Sequence, residues 1–153
     1  MITIKTTQKK IKSDLTKLKK DARAILGLLN YHDFELNIFL TTSKTIRAYN
    51  KKFRKIDRPT DILSFPYHPE LKPEQHLIPE TPDDKKLGDI IISLEYVQNQ
   101  LKELKTTLDE RMQVLLVHGV CHLIGYEHET DAQYKQMQEK ENWLLEKLAS
   151  SYL

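Results

Sequence analysis

The sequence is short of several things that would each imply a particular class of protein. Cys121 is its one cysteine in 153 residues, so no disulfide closes within the chain. The fold must be held by packing, and a disulfide scaffold is excluded. No apolar run approaches the roughly 18 residues that span a bilayer. Residues 1–5 carry neither the apolar stretch nor the small-residue cleavage site of a secretion signal. Together these absences point to a cytoplasmic protein without a membrane partner. Tryptophan occurs once, at Trp143, and there is no internal repeat or low-complexity tract. Proline is missing everywhere except between Pro59 and Pro82, where all six prolines fall.

What is present fits one globular domain over residues 1–153, with 39% hydrophobic and 30% charged residues. The net charge of +2 hides a marked asymmetry. Residues 1–60 hold 15 Lys/Arg against 5 Asp/Glu, while the remainder holds 9 against 17. A basic amino-terminal half suits a polyanion partner and equally suits a face that is merely solvated by lysine.

Periodicity predicts a strand over 1–5, an amphipathic helix over 12–29, a strand over 35–41 and a helix over 43–55 capped by Ser43. Strands follow over 60–65 and 87–94, the second through Ile90-Ile91-Ile92. The proline-bearing segment 67–86 reads as a long connection, and its polarity suggests a mobile one. Three helices complete the chain: 93–105, 107–124 with a Thr107/Glu110 capping box, and a last one opened by Thr130/Gln133. On that last helix Tyr134, Met137, Glu141, Leu144, Leu145 and Leu148 share one stripe, in which Glu141 is the one charged member. The order β-α-β-α-β-β-α-α-α predicts an α+β fold: a small mixed sheet of about four strands packed with about five helices.

The chemistry concentrates in His118-Gly119-Val120-Cys121-His122-Leu123-Ile124-Gly125-Tyr126-Glu127-His128. On a helix, His118 and His122 project from one face about 6 Å apart at Cβ. That spacing lets both rings meet one ion at about 2.0–2.1 Å. Gly125 can end the helix in the left-handed conformation and let the chain return His128 to the same point. Burying such imidazoles without a carboxylate beside them is costly unless a metal uses their lone pairs. His118, His122 and His128 are therefore read as ligands of one zinc ion per chain, with a fourth position open for catalysis. Cys121 lies on another face of the helix and reads as a small core residue.

The spacing H-x-x-x-H-x-x-G-x-x-H is also that of the metzincin proteases, which place a glutamate directly after the first histidine as general base. Here that position is Gly119, which argues against peptidase chemistry.

Three blocks of the sequence resemble the YbeY family of bacterial rRNA maturation factors and metal-dependent endoribonucleases. They are Tyr49-Asn50 through Arg54 to Pro59-Thr60-Asp61-Ile62-Leu63-Ser64-Phe65-Pro66, then Leu87-Gly88-Asp89-Ile90-Ile91-Ile92-Ser93, then His118-Gly119 through His128. The resemblance implies a zinc-dependent, single-strand-specific endoribonuclease acting in 16S rRNA 3′-end maturation and in quality control of the small ribosomal subunit. Its implied partners are rRNA and that subunit. By position, the resemblance makes the three histidines zinc ligands and Arg54 an active-site arginine. The chain departs from the family pattern at Glu127, where aspartate is usual, and at Cys121, where leucine is commoner.

Other residues are read from their chemistry. Arg47, Lys51 and Arg54 form one stripe of their helix, continued by Lys44 and Arg58, and a bidentate arginine is suited to phosphate. Asp61 and Asp89 each open a strand; either could orient a ligand histidine through its second ring nitrogen or simply cap the strand. Thr60 and Ser64 read as turn and strand residues, Trp143 as packing, and Glu127 as a general-base candidate. Three function classes follow: a zinc-dependent RNA hydrolase, a zinc peptidase-like hydrolase, and a non-enzymatic ribosome-assembly factor with structural zinc.

Overall fold

The computed structural model describes residues 1–151; positions 152 and 153 of the expected domain lie outside the described residues. Four strands form one mixed sheet: β1 (Ile2–Thr6), β2 (Glu35–Thr41), β3 (Ile62–Pro66) and β4 (Lys86–Ser93). Their spatial order is β1-β2-β4-β3, with β1, β2 and β4 parallel and β3 antiparallel to β4 at one edge. Five helices accompany them: α1 (Leu15–Leu28), α2 (Ser43–Arg54), α3 (Leu94–Leu104), α4 (Leu108–Leu123) and α5 (Asp131–Ser151). This is the α+β architecture that the periodicities predicted.

Side-chain alternation divides the sheet into two unlike faces. Leu36, Ile38, Leu40, Ile90 and Ile92 point to one side and join the main core with Ile25 and Leu26 of α1, Leu116 and Val120 of α4, and Leu144 and Leu148 of α5. The opposite face carries a second, small cluster of Leu63 and Ile91 against Ile46 of α2. Phe39 and Phe65 are only partly covered there. One face is thus closed by several helices and the other by α2 alone.

The helix ends show where capping chemistry overrides pattern. The first helix starts at Leu15, because Asp14 accepts a hydrogen bond from the Lys17 N–H at 3.0 Å and so ends the extended segment before it. Thr42, one residue before the predicted Ser43, caps α2. Thr107 caps α4, but the Glu110 carboxylate takes the Thr106 hydroxyl at 3.0 Å, so the reciprocal half of the expected capping box is not made. Thr130 and Gln133 make both halves. On α5, Met137, Leu144 and Leu148 are buried as predicted, whereas Tyr134 and Trp143 are exposed, and Lys140 lies 4.5 Å over the indole. The packing role expected of Trp143 is therefore not seen.

The connection 67–86 is tethered rather than loose. Leu71 is buried in the main core, His76 stacks on Tyr31 at 4.2 Å, and the Tyr31 hydroxyl accepts from the Leu77 N–H at 2.9 Å. A short 3-10 turn over Pro82–Asp84 then leads into β4. Leu71 and Leu77 of the segment reach the core while Tyr67 and Ile78 stay exposed, and its overall polarity obscures those two anchors. Among the described residues no helix is long and apolar enough to cross a membrane.

Candidate metal centre

The last turns of α4 place two of the three histidines, and the helix terminus places the third. His118 and His122 stand on consecutive turns with their rings at 88° and centroids 4.6 Å apart. After Leu123 the chain closes in a Schellman arrangement: the Gly125 N–H bonds the His122 carbonyl at 3.1 Å and the Tyr126 N–H bonds the Cys121 carbonyl at 3.0 Å. Gly125 sits at φ +103°, and a side chain there would run into the Leu71 carbonyl. The reversal returns His128 to the pair, with ring centroids 5.5 Å from His118 and 4.9 Å from His122.

Hydrogen bonds to the far ring nitrogens decide which nitrogen faces inward. His122 Nδ1 lies 2.9 Å from the Tyr126 carbonyl oxygen, which can only accept, so Nδ1 carries the proton. His118 Nδ1 lies 3.0 Å from the Glu141 carboxylate and donates likewise. Both Nε2 atoms are then bare lone pairs, and they face each other at 3.1 Å. Two lone pairs at that distance repel unless a cation sits between them. Two ligand nitrogens at about 2.0–2.1 Å in tetrahedral geometry would be roughly 3.3 Å apart. One ligand atom from each of the three histidines lies within 4.8 Å of the others. The donor set, its tautomers and its spacing all fit a divalent ion such as zinc.

Burial pushes the His122 imidazole down to about 4, helped by the neighbouring His118, so the ring stays neutral at ordinary pH with a lone pair available to a metal. Cys121 is fully buried, and burial, followed by the charge of Glu141, pushes its thiol up to about 12. It is the core residue expected, and unreactive.

The histidines open on a cavity of about 650 Å³ along the β3 edge of the sheet. Its walls bring Arg54 from the end of α2, and Thr60, Asp61 and Ser64 around β3, to the same space as Glu127. Arg54 is thus beside the histidines although 64 residues separate it from His118. Asp57 engages Arg47 at 2.9 Å and approaches Lys51 at 4.0 Å, whereas Arg54 has no acidic partner among the described residues. The common stripe read from sequence is therefore divided, with Arg54 left for the cavity.

Neither aspartate proposed as a histidine partner has that role. Asp61 is taken by Arg111 at 3.1 Å and Gln100 at 3.3 Å. Asp89 lies on the sheet face turned away from α4 and accepts from Asn37 at 3.0 Å. The outer partner of His118 is Glu141, 23 residues further on. Its trace in the sequence is its position as the charged residue in the α5 stripe. Glu127 approaches His122 Nδ1 only at 3.8 Å and is more than half exposed.

Gly119, directly after the first histidine, faces the sheet. A methyl group there would lie 2.9 Å from Ile90 Cδ1 and 3.0 Å from Ile62 Cδ1. A glutamate at this position would have to displace both isoleucines.

A family model described as Endoribonuclease YbeY matches residues 2–149. A curated relative named Endoribonuclease YbeY from Aquifex aeolicus is 36% identical over 98% of this chain and 93% of its own length. A human relative of the same name is 35% identical over 96% of this chain and 87% of its own. A solution structure of a Thermotoga maritima protein superposes with a TM-score of 0.59, 24% identity and coverage of 99% of this chain and 93% of that one, a likeness of fold. The resemblance read from the three sequence blocks is borne out across the whole domain.

Proposed function

This chain belongs to the endoribonuclease YbeY family, and from that premise we propose that it is a zinc-dependent hydrolase of single-stranded RNA. The observation that carries the reading is the convergence of three imidazole donors and an unpaired arginine on one open cavity. His118, His122 and His128 would hold one zinc ion. When bound, the metal supplies fixed positive charge beside the scissile phosphate.

The chain's own groups do the rest. Arg54 is free to grip two phosphate oxygens with its planar fork and to stabilise charge as it develops. The 2′-hydroxyl of RNA can attack the adjacent phosphorus and break its bond to the 5′-oxygen, leaving a 2′,3′-cyclic phosphate that water then opens, so the protein need not furnish a nucleophile. The hydroxyl proton needs an acceptor, whose acid form can return it to the departing 5′-oxygen. Of the three carboxylates that line the cavity, Asp61 is occupied by Arg111 and Glu129 is exposed, while Glu127 is open to solvent and lies beside His122. Glu127 is the base in this reading. Crowding at Gly119 weighs against a peptidase, and the open cavity weighs against a purely structural ion.

The finer assignment is the one the sequence resemblance implies: 16S rRNA 3′-end maturation, with rRNA and the small ribosomal subunit as partners, in the cytoplasm. The test compares wild-type and His122→Ala protein, purified identically, on unstructured RNA and on casein. RNA cleavage by the wild type alone is expected. Equal RNA cleavage by both proteins, or casein cleavage by the wild type, would overturn the proposal.

A further inference from the structure

The sheet face opposite α4 is unevenly covered. Alternation puts Phe39, Asp89 and Ile91 on that face, and α2 crosses only part of it. Between α2 and the strands lies a groove of about 420 Å³, floored by Phe39 and Ile91 and bounded by Tyr49, Phe53 and Phe65. Tyr49 and Phe53, one turn apart on α2, hold their rings nearly parallel, at 12° and 6.0 Å, with 40% and 54% of each residue exposed. Phe65 meets Phe53 edge-on at 5.3 Å. A single exposed aromatic needs no explanation, but three contiguous rings opening on a groove mark a binding surface.

Charge and continuity indicate what binds there. The α2 segment carries five basic residues and no acidic one. With Asp57 occupied by Arg47, the side chains of Lys52, Arg54 and Lys55 stand at its carboxyl-terminal end without acidic partners among the described residues. Phe53 and Phe65 line both the groove and the histidine cavity, so the two spaces meet around the β3 edge. Inside the groove the Asp89 carboxylate turns phosphate away, and the threonines Thr7, Thr41 and Thr45 offer hydroxyls. The polarity is therefore basic along the rim and aromatic within. That is how proteins hold single-stranded nucleic acid, with phosphates tracked outside and bases stacked inside.

We propose that this groove is a nucleobase-stacking subsite for single-stranded RNA, continuing the strand from the histidine cavity around the β3 edge. The inference rests on the RNA-hydrolase reading above and adds where the flanking nucleotides lie. An apolar protein segment matches less well, because it would bury Asp89 and leave the basic rim unused.

The test uses the whole protein and two probes: a short 2′-O-methyl oligonucleotide, which cannot supply the 2′-hydroxyl nucleophile, and an abasic oligomer with the same phosphates. The wild type should prefer the base-bearing probe by about ten-fold or more. Phe53→Ala and Tyr49→Ala should each reduce that preference severalfold while leaving abasic binding and its salt dependence unchanged, so abasic binding doubles as the folding control. Phe53→Tyr should restore the preference. A Lys52→Ala, Lys55→Ala double variant should instead weaken both probes alike and flatten the salt dependence. If the preference survives both aromatic truncations, the subsite is refuted, the groove is left to a protein partner, and the RNA reading stands. If the wild type binds neither probe, both proposals fall.

Discussion

Removing the Glu141 carboxylate tests the proposed metal centre from outside its ligands. Glu141 accepts the His118 Nδ1–H at 3.0 Å and thereby holds the Nε2 lone pair toward His122. Without it, His118 is free to rotate or to move its proton to the ligating nitrogen. Outer partners of metal-bound histidines are typically worth 10–100-fold in affinity. The lower part of that range applies here, because the His118 side chain is 28% exposed and water can replace the lost oxygen. Glu141→Ala should therefore weaken zinc binding by roughly ten-fold, equivalent to about 1.4 kcal/mol. Glu141→Gln keeps an oxygen at the same reach but loses the charge that makes such bonds about twice as strong. Its loss should be smaller, about three-fold. Competition against a chromophoric chelator at neutral pH measures both. Thermal melts of the metal-free proteins should nearly coincide, since alanine is at home in a helix. Wild-type zinc affinity in Glu141→Ala would refute the orienting role and the tautomer assignment built on it.

Three further outcomes are expected. Elemental analysis should find about one zinc per wild-type chain and almost none in a His118→Ala, His122→Ala double variant; full retention would refute the ligand assignment. Arg54→Ala should depress RNA cleavage yet leave zinc content unchanged and stability within about 0.5 kcal/mol, because the residue is exposed and unpaired; loss of zinc or of the fold would make Arg54 structural. The metal-free protein should lose stability as pH falls from about 6.5 to about 4. Across that window the unfolded chain protonates His122 while the folded chain, with its imidazole pushed down to about 4, does not. The loss amounts to about 3 kcal/mol at most and should be absent in His122→Ala, as chemical denaturation across that range can show.

How much of this was legible in the sequence depends on the range of the interaction. The helices and strands repeat their periodicities locally, and their predicted positions hold to within a few residues. The shifts trace to single hydrogen bonds, as where Asp14 rather than Lys12 begins α1. The three histidines were legible because 11 consecutive residues build them: one helical face, one left-handed glycine and one reversal. Their supports come from elsewhere in the chain. Glu141 arrives from α5, and only its odd place in an apolar stripe hinted at it. Asp61 could equally orient a histidine or cap its strand on the sequence alone, until Arg111, 50 residues away, proved to occupy it. The aromatic groove was illegible for the same reason, since Tyr49, Phe65 and Phe39 meet only after β3 has paired beside β4.

Gly119 ties the packing of this domain to the chemistry proposed for it. The helix carrying the histidines lies so close to the sheet that even a methyl group at position 119 meets Ile90 and Ile62. That close approach sets β3 against the histidines. It makes Thr60, Ser64 and Arg54 walls of one cavity with His118, His122 and His128. The same approach removes the room in which a zinc peptidase, with the same histidine spacing, keeps its glutamate. A peptide substrate depends on that base, because it brings no nucleophile of its own. RNA brings its 2′-hydroxyl next to the phosphorus it attacks, and in the proposed reaction the exposed Glu127 would take the proton. Shared ligand spacing therefore does not imply shared substrate: closing the sheet onto the helix leaves no room at position 119 for the peptidase base, while α2 brings Arg54 to the same cavity from the other side of the sheet.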